Sequence, residues 1–313
     1  MNVLSLFDGM SGTQLALKKL GIKVDNYYAS EIDKYAIKVT QVNFPNTIQV
    51  GDVTKLNVNS HIDLLVMGSP CQDLSFASRD KKGLEGERSG LFFEGLRLVK
   101  ACLAINPDLK ILVENVRMTK TNQDRMTKAL SDVMGQVIEP VAINSNIFSA
   151  QNRYRLYWTN LSIPTLPSDK GIVMNDILEN GFTDRDKSHC LDANYFKGGN
   201  LKSYFEKNRR QLVFSKDGLC HVGNADLNGQ DAIKRVYHAN GKSPTLTTMQ
   251  GGHREPKVYI DNLQYRKLTP LECERLQTVP DNYTNHVSNT QRYKMLGNGF
   301  TIDTICHILT ELK

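Results

Sequence analysis

The sequence predicts a doubly wound α/β fold with a mostly parallel sheet and a second, smaller, loop-rich domain. Three observations carry this prediction: short β-rich runs alternate with amphipathic helical stretches up to Leu161, the alternation then stops, and a helical pattern resumes at Leu268. Alternation at this spacing is typical of parallel strands joined by crossover helices. We therefore expect residues 1–161 and 265–313 to form the sheet domain and residues 162–264 to form the smaller one.

The elements of the sheet domain follow from apolar periodicity and from the turn residues that separate the runs. Strands are predicted at 3–7, in a segment that ends at Ser30, and at 48–50, 62–67, 110–113, 137–143 and 153–158. Helices are predicted from the turn at 9–12 to Leu20, at about 33–42, around 91–99, at about 122–134 and at 302–309. Thr269 and Glu272 have the spacing of a capping box, which predicts a helix start there.

Composition excludes several classes of protein. With 313 residues, of which 40% are hydrophobic and 8% aromatic, the chain is typical of globular rather than disordered proteins. No window approaches the ~18 apolar residues of a membrane span, and the opening MNVLSLFDG has no basic segment or cleavage site, so neither a span nor secretion is expected. The six cysteines show no zinc-ligand spacing, so no metal site is expected, and the net charge of +6 permits a polyanionic partner without requiring one.

Acidic residues follow the first three predicted strands: Asp8 follows the first, Glu31 the second and Asp52 the third. Ligands of parallel sheets bind beyond the carboxyl ends of the strands, so these acids predict a nucleoside pocket, with Glu31 accepting from ribose hydroxyls and Asp52 from an adenine amine. The turn FDGMSG lacks the full G-x-G-x-x-G pattern, which favours an adenosine compound with a short positive tail, such as S-adenosyl-L-methionine. The alternative is that each acid only caps the helix after it.

The fourth and fifth predicted strands end in groups suited to covalent chemistry. Cys71 follows Pro70 directly after the apolar run at 62–67, where a nearby helix N-terminus would stabilise its thiolate. Glu114 ends the apolar run ILVE and could donate a proton or a hydrogen bond. A thiolate beside such an acid suits addition to an electron-poor ring carbon, after which the activated neighbouring carbon attacks a methyl sulfonium.

These residues lie in motifs that resemble those of the C5-cytosine-specific DNA methyltransferases, and the resemblance covers nearly the whole chain except about 162–240. In the order usual for that family, the motifs are FDGMSG (7–12), ASEIDKYA (29–36), GDV (51–53), SPCQDLS (69–75), ENV (114–116), QNRYR (151–155), SPTLTTMQGG (243–252), RKLTPLECERLQTVPD (266–281) and MLGNGF (295–300). The resemblance implies a Rossmann-like class I methyltransferase fold. LQTVPD departs from the usual LQ-x-F-P, and Phe300 stands where the family usually has valine, which could reshape the edge of the cofactor pocket.

The resemblance also implies a role for each motif residue. Cys71 would attack C6 of a flipped-out cytosine, Glu114 would contact N3 and the amino group, Arg155 would hold the ring, and Arg153 would support the site. S-adenosyl-L-methionine would be bound by Phe7, Asp8, Gly9, Gly12, Glu31, Ile32, Asp52, Val53, Pro70 and Asn298. DNA would be contacted by Ser75, Arg79, Gln151, Thr245, Leu246, Gly251 and Gly252, the last four within a target-recognition domain of residues 162–264.

The expected function is therefore cytosine-5 methylation of double-stranded DNA by a monomeric, cytoplasmic, bacterial or phage-encoded enzyme, either of a restriction-modification system or with an orphan or phage role. Two alternatives share the motifs: a tRNA cytosine-5 methyltransferase and a catalytically silent DNA-binding homologue. The silent homologue is disfavoured because Cys71, Glu114 and Arg155 are all present. The bases that flank the target cytosine do not follow from the sequence, because the recognition region is the most variable part of the family.

Overall fold

A seven-stranded sheet with the order β3–β2–β1–β4–β5–β7–β6 forms the centre of the protein in a computed structural model, which describes residues 1–70, 87–214, 221–224, 235–238, 257–259 and 265–313. The strands are β1 (Asn2–Leu6), β2 (Asn26–Ser30), β3 (Ile48–Gln49), β4 (Leu64–Gly68), β5 (Lys110–Val116), β6 (Val141–Asn144) and β7 (Tyr154–Thr159). Neighbours among β1 to β5 pair in parallel, which confirms the predicted mostly parallel sheet.

The last two strands of this sheet pair in the opposite direction. β7 is antiparallel to both β5 and β6, whereas the alternation of strands and helices predicted parallel pairing. The reason is the short 145–153 connection between β6 and β7, because a parallel pair needs a crossover of about a dozen residues or more. As a result, the start of β7 lies beside the end of β5, where Val116 pairs with Arg155.

Helices cover both faces of the sheet. The helices of the described residues are α1 (Gly12–Leu20), α2 (Lys34–Asn43), α3 (Glu87–Ile105), α4 (Lys120–Met134), α5 (Met174–Ile177), α6 (Leu201–Lys207), α7 (Pro270–Leu276), α8 (Asn289–Asn298) and α9 (Ile302–Ile308). Along β4, Leu64 and Val66 join the apolar cluster that contains residues of α1 and α9, while Leu65 and Met67 join the cluster that contains residues of α3 and α4. This burial on both faces explains why the strand is continuously apolar.

The capping box that the sequence predicted is present at the start of α7. The side chain of Thr269 accepts from the backbone N–H of Glu272, and the side chain of Glu272 accepts from that of Thr269. Pro270 occupies the first position of α7, where its missing N–H costs no hydrogen bond. The predicted capping box is therefore confirmed.

The described parts of residues 162–264 contain short elements only. Strand β8 (Leu212–Phe214) pairs with β12 (Tyr265–Lys267), and β9 (His221–Asn224), β10 (Arg235–His238) and β11 (Lys257–Tyr259) form a three-stranded sheet. Met174, Leu191 and Tyr195 are buried in the same cluster as Val3 of β1, so this region shares a core with the large sheet. The pair β8–β12 also crosses the predicted boundary at 264, and the division into two domains stays a prediction.

Candidate active site

The carboxyl ends of β1, β2, β4 and β5 lie along one edge of the sheet. Leu6 pairs with Ser30 of β2 and with Met67 of β4, and Gly68 pairs with Glu114 of β5. The segments 7–12, 31–33, 69–70 and 114–116 therefore share this edge, which we call the carboxyl rim. The sequence predicted this convergence from the strand-end positions of the acids, and the register confirms it.

The turn after β1 has an unusual backbone. Phe7, Gly9 and Ser11 have φ angles of 56°, 58° and 59°, in the left-handed region that non-glycine residues seldom occupy. The turn is held to β2, because the amide of Asp8 donates to the carbonyl of Ser30 at 3.1 Å and the amide of Gly9 donates to Glu31 Oε2 at 2.8 Å. Strain held in place by surrounding contacts is a feature of functional turns, and this one brings Asp8 and Glu31 together.

Asp8 is a buried carboxylate on the carboxyl rim. Tyr27 donates its hydroxyl to Asp8 Oδ1 at 2.7 Å, and the hydroxyl of Ser11 donates to Oδ2. Burial raises the pKa of Asp8 to about 6, against the opposing effect of the hydrogen bonds from Ser11 and Tyr27. The carboxylate is thus ionised near neutral pH but at a cost that a cationic ligand would reduce.

The raised pKa of Asp8 predicts a loss of stability with rising pH. Because the folded-state pKa of about 6 exceeds the ordinary 3.8, the folded chain binds more protons, and the stabilisation is lost as pH rises through 6. Between about pH 5 and pH 8 the free energy of unfolding should fall by about 1–2 kcal/mol more in the wild type than in Asp8→Asn. Denaturant titrations across this range measure the difference. Parallel curves of unfolding free energy against pH for the two proteins would contradict the raised pKa of Asp8.

Glu31 and Asp52 both make local backbone contacts. Glu31 Oε1 accepts from the amides of Ile32 and Asp33 at 2.7 and 2.8 Å, and Oε2 accepts from Gly9, so a lone-pair direction remains on Oε2. Asp52 caps the 3₁₀ turn that begins at Val53, and its pKa is lowered by the hydrogen bond from the backbone of Thr54. The capping alternative therefore holds for Asp52, which does not prevent its other oxygen from accepting from a ligand.

Glu114 and Arg155 form an ion pair across the ends of β5 and β7. Arg155 Nε lies 2.9 Å from Glu114 Oε1, and both side chains are about six-sevenths buried, with 14% and 13% exposure. The next residue, Asn115, donates from Nδ2 to the hydroxyl of Ser69 at 3.1 Å. This bond ties the end of β5 to the segment Ser69–Pro70, which leads directly into Cys71.

Arg153, two residues before Arg155, is 4% exposed. Its Nη1 donates to the carbonyl of Leu191 at 3.2 Å, and its Nη2 donates to the carbonyls of Gly297 and Gly299 at 3.3 and 2.8 Å. The guanidinium therefore holds the loop around Asn298, which is exposed at the end of α8. This geometry fits the supporting role that the family resemblance implied.

Cys190 is a site residue that the sequence reasoning missed. Its Sγ accepts from Arg153 Nη1 at 3.4 Å and from Arg155 Nη2 at 3.8 Å. The residue is exposed, but the protein atoms around the sulfur desolvate it and raise the pKa of this thiol, while the charges of Arg153 and Arg155 outweigh that effect and lower the pKa below its ordinary value. The surrounding DKSHCLD matches no motif, so only the folded structure shows this contact.

Gln151 occupies a different position from the one predicted. The sequence predicted a DNA contact, but the side chain has no exposed surface. Its Nε2 donates to the carbonyl of Leu276 at 3.3 Å, and its Oε1 accepts from the amide of Leu191 at 2.9 Å. This burial favours a structural role, because the side chain joins α7 to the segment that carries Cys190.

The remaining predicted residues lie partly inside and partly outside the described parts of the chain. Gly12 begins α1 beside Phe300, Val53 is buried, and Ile32 presents an apolar side chain that is 76% exposed. The residues that lie outside the described parts of the chain are Cys71, Ser75, Arg79, Thr245, Leu246, Gly251 and Gly252. Their predicted roles stay predictions.

None of the helices within the described ranges has both the length and the apolar character to cross a membrane. Within the same ranges, no three or more histidine, cysteine, aspartate or glutamate side chains are grouped as metal ligands would be.

The chain is similar to known proteins over nearly its whole length. The family model described as C-5 cytosine-specific DNA methylase matches residues 1–313. The orphan methyltransferase M.SPBetaI of Bacillus phage SPbeta is 28% identical over 441 aligned positions, covering 100% of this chain and 97% of the relative. The type II methyltransferase M.HhaI of Haemophilus parahaemolyticus is 27% identical over 331 positions, covering 98% and 93%.

Solved structures support the fold class. The Entamoeba histolytica methyltransferase EhMeth has a TM-score of 0.66 at 16% identity and covers 100% of this chain and 97% of its own. The S. pombe Dnmt2 methyltransferase has a TM-score of 0.62 at 16% identity, with 100% and 98% covered. The predicted methyltransferase-like α/β fold is thereby confirmed.

Proposed function

The chain belongs to the C-5 cytosine-specific DNA methylase family, and we propose from this premise that it methylates C5 of a flipped-out cytosine in double-stranded DNA. The names of the relatives, an orphan methyltransferase and a type II methyltransferase, support the same class of reaction. The observation that carries the proposal is the ion pair between Glu114 and Arg155, on the carboxyl rim beside the segment that leads into Cys71.

In the proposed reaction Cys71 and Glu114 act on opposite parts of the ring. The thiolate of Cys71 forms a bond to C6 while Glu114, protonated from solvent once the base is bound, donates a hydrogen bond to N3, where negative charge develops. C5 then takes the methyl group from a sulfonium, whose sulfur keeps the bonding electron pair. Loss of the C5 proton to water and departure of the thiolate restore the aromatic ring. Arg155 fixes the direction of the Glu114 carboxylate throughout.

The described residues fit S-adenosyl-L-methionine as the methyl donor. The buried Asp8 carboxylate suits a positive tail, and the remaining lone-pair direction of Glu31 Oε2 suits a ribose hydroxyl. The exposed side chain of Ile32 offers an apolar surface for an adenine ring. Residues 162–264 are proposed to recognise the bases around the target, and extrusion of the cytosine is required because its ring carbons are inaccessible in a stacked duplex.

The proposed substrate is tested by measuring where a methyl group goes. The purified protein is incubated with methyl-labelled S-adenosyl-L-methionine and either duplex DNA or tRNA, and DNA from a methylation-free host that expresses the gene is read by bisulfite conversion. We expect label in duplex DNA and protected cytosines in one sequence context. Label in tRNA alone would replace DNA by tRNA as the substrate, and label in neither would favour the silent homologue.

The proposed nucleophile predicts a trapped covalent complex. In the presence of S-adenosyl-L-methionine, duplex DNA that carries 5-fluorocytosine at the target should form a denaturation-resistant adduct with the wild type, because after methyl transfer the fluorine at C5 cannot leave as a proton does. Cys71→Ala should form none, while Cys102→Ala should trap normally, since the Cys102 thiol is fully buried and burial raises its pKa to about 12. Gel mobility measures the adduct, and trapping by Cys71→Ala would remove Cys71 from the mechanism.

A further inference from the structure

Phe300 lies against both the turn after β1 and the end of β4. A Cβ atom placed on Gly12 would lie 3.4 Å from Phe300 Cδ2, and one placed on Gly68 would lie 3.1 Å from Phe300 Cε1. The aromatic ring can approach both backbones because neither residue has a side chain. Phe300 therefore lies across the crevice between β1 and β4, where the strand order of the sheet reverses and where open α/β sheets bind ligands.

The backbone on both sides of Phe300 is fixed by buried groups. The carbonyl of Gly299 accepts from Arg153 Nη2 at 2.8 Å, and the hydroxyl of Thr301 donates to Gln277 Oε1 at 2.8 Å. The amide of Ile302 donates to the carbonyl of Gln277 at 2.9 Å. Because Arg153 and Gln277 are 4% and 0% exposed, these anchors limit how far the ring can retreat from the crevice.

The ring of Phe300 also lies close to the proposed base-binding carboxylate. Glu114 Oε2 is 3.5 Å from the same Cβ position on Gly68 that Phe300 contacts. The ring thus lies between the turn that carries Asp8, on the proposed cofactor side, and Glu114, on the proposed cytosine side. A group transferred between the proposed cofactor and the proposed base would therefore lie close to this ring.

Given the proposed function, we infer that Phe300 determines the size of the group that this enzyme can carry from the sulfonium to the cytosine. The ring leaves room for a methyl group and excludes longer substituents. It does so as a fixed wall, since its backbone is anchored and the two glycines place it directly against the sheet. Phe300 is therefore a specificity-determining residue, in addition to the groups that bind the cofactor and the base.

Binding measurements test this inference without requiring turnover. Calorimetry gives the affinities of the wild type and of Phe300→Ala for S-adenosylhomocysteine and for an S-adenosyl analogue that carries a propargyl group in place of the methyl group. The wild type should prefer S-adenosylhomocysteine by roughly a hundredfold, on the scale of steric discrimination by a pocket, and Phe300→Ala should reduce this preference at least tenfold. The affinity of Phe300→Ala for S-adenosylhomocysteine should stay within about threefold of the wild-type affinity. A merely structural role of Phe300 predicts instead that this affinity is lost as well.

Transfer to duplex DNA supplies the second measurement. The ratio of methyl to propargyl transfer should fall at least tenfold in Phe300→Ala, with Phe300→Leu intermediate, and should not change in Phe196→Ala, a partly buried phenylalanine of the same apolar cluster. Phe300→Val, with the residue usual in the family, replaces the alanine variant if that one does not fold. An unchanged ratio of methyl to propargyl transfer in a folded Phe300 variant would overturn only this inference. A wild type without methyl transfer would overturn the proposed function.

Discussion

Replacement of Glu114 by glutamine is expected to slow methyl transfer by roughly two to four orders of magnitude, the usual scale for a group that exchanges or shares a proton with the substrate. Glutamine has nearly the same shape, so Arg155 keeps an oxygen acceptor and the site keeps its packing. What is lost is the carboxyl group that would bond N3 and the amino group of the cytosine. Single-turnover rates with saturating DNA and cofactor measure the effect directly.

Two comparisons separate this chemical effect from a structural one. Affinity for S-adenosylhomocysteine should remain within about threefold, since Glu114 faces the proposed cytosine side of the site. Glu139→Gln, a matched change at an exposed residue, should leave the rate unaltered. A Glu114→Gln enzyme that methylates at the wild-type rate would exclude Glu114 from the reaction.

Replacement of Arg153 by methionine is expected to reduce the free energy of unfolding by about 3 kcal/mol and to weaken cofactor binding at the same time. Methionine fills part of the volume but donates no hydrogen bond, so the carbonyls of Leu191, Gly297 and Gly299 lose a charged donor in a buried setting. The loop that presents Asn298 then loses its anchor. Denaturant titration and calorimetry with S-adenosylhomocysteine measure the two effects.

The contrast with a surface arginine makes this prediction specific. Arg209 pairs with Asp192 at 3.1 Å, but its side chain is 57% exposed, so Arg209→Met should change the unfolding free energy by less than about 1 kcal/mol. Arg153→Lys should recover only part of the loss, because an ammonium group cannot match the planar fork of a guanidinium that spans three carbonyls. Equal stability of Arg153→Met and the wild type would contradict the anchoring role.

Much of the fold was predictable because its strands are short apolar runs separated by helices of regular period. Periodicity does not encode pairing direction, so the antiparallel β7 became apparent only from the structure, although the short 145–153 connection was visible in the sequence. The region after Leu161 was predicted to be a second domain, and Met174 and Tyr195 within it belong to the same apolar cluster as Val3 of the large sheet. Isolated apolar residues in irregular segments have no period from which such packing could be predicted.

The candidate site was predictable where its residues stand at strand ends or in recognised motifs. Asp8, Glu31 and Glu114 lie on the carboxyl rim as expected. The contact of Cys190 with Arg153 and the burial of Gln151 depend on packing between distant segments, which no local pattern of residues describes. Partners of this kind become visible only when the chain is folded.

The meeting of α1 with α9 has a consequence for the order in which the chain folds. The contact between Cys306 and the carbonyl of Ala16 spans 290 residues, and the hydroxyl of Tyr283 reaches the carbonyl of Met10 across 273. Contacts of such large sequence separation form late, because a long loop must close before they yield any stabilisation. During refolding from denaturant, the chain should therefore regain its secondary structure before its ability to bind an adenosyl ligand.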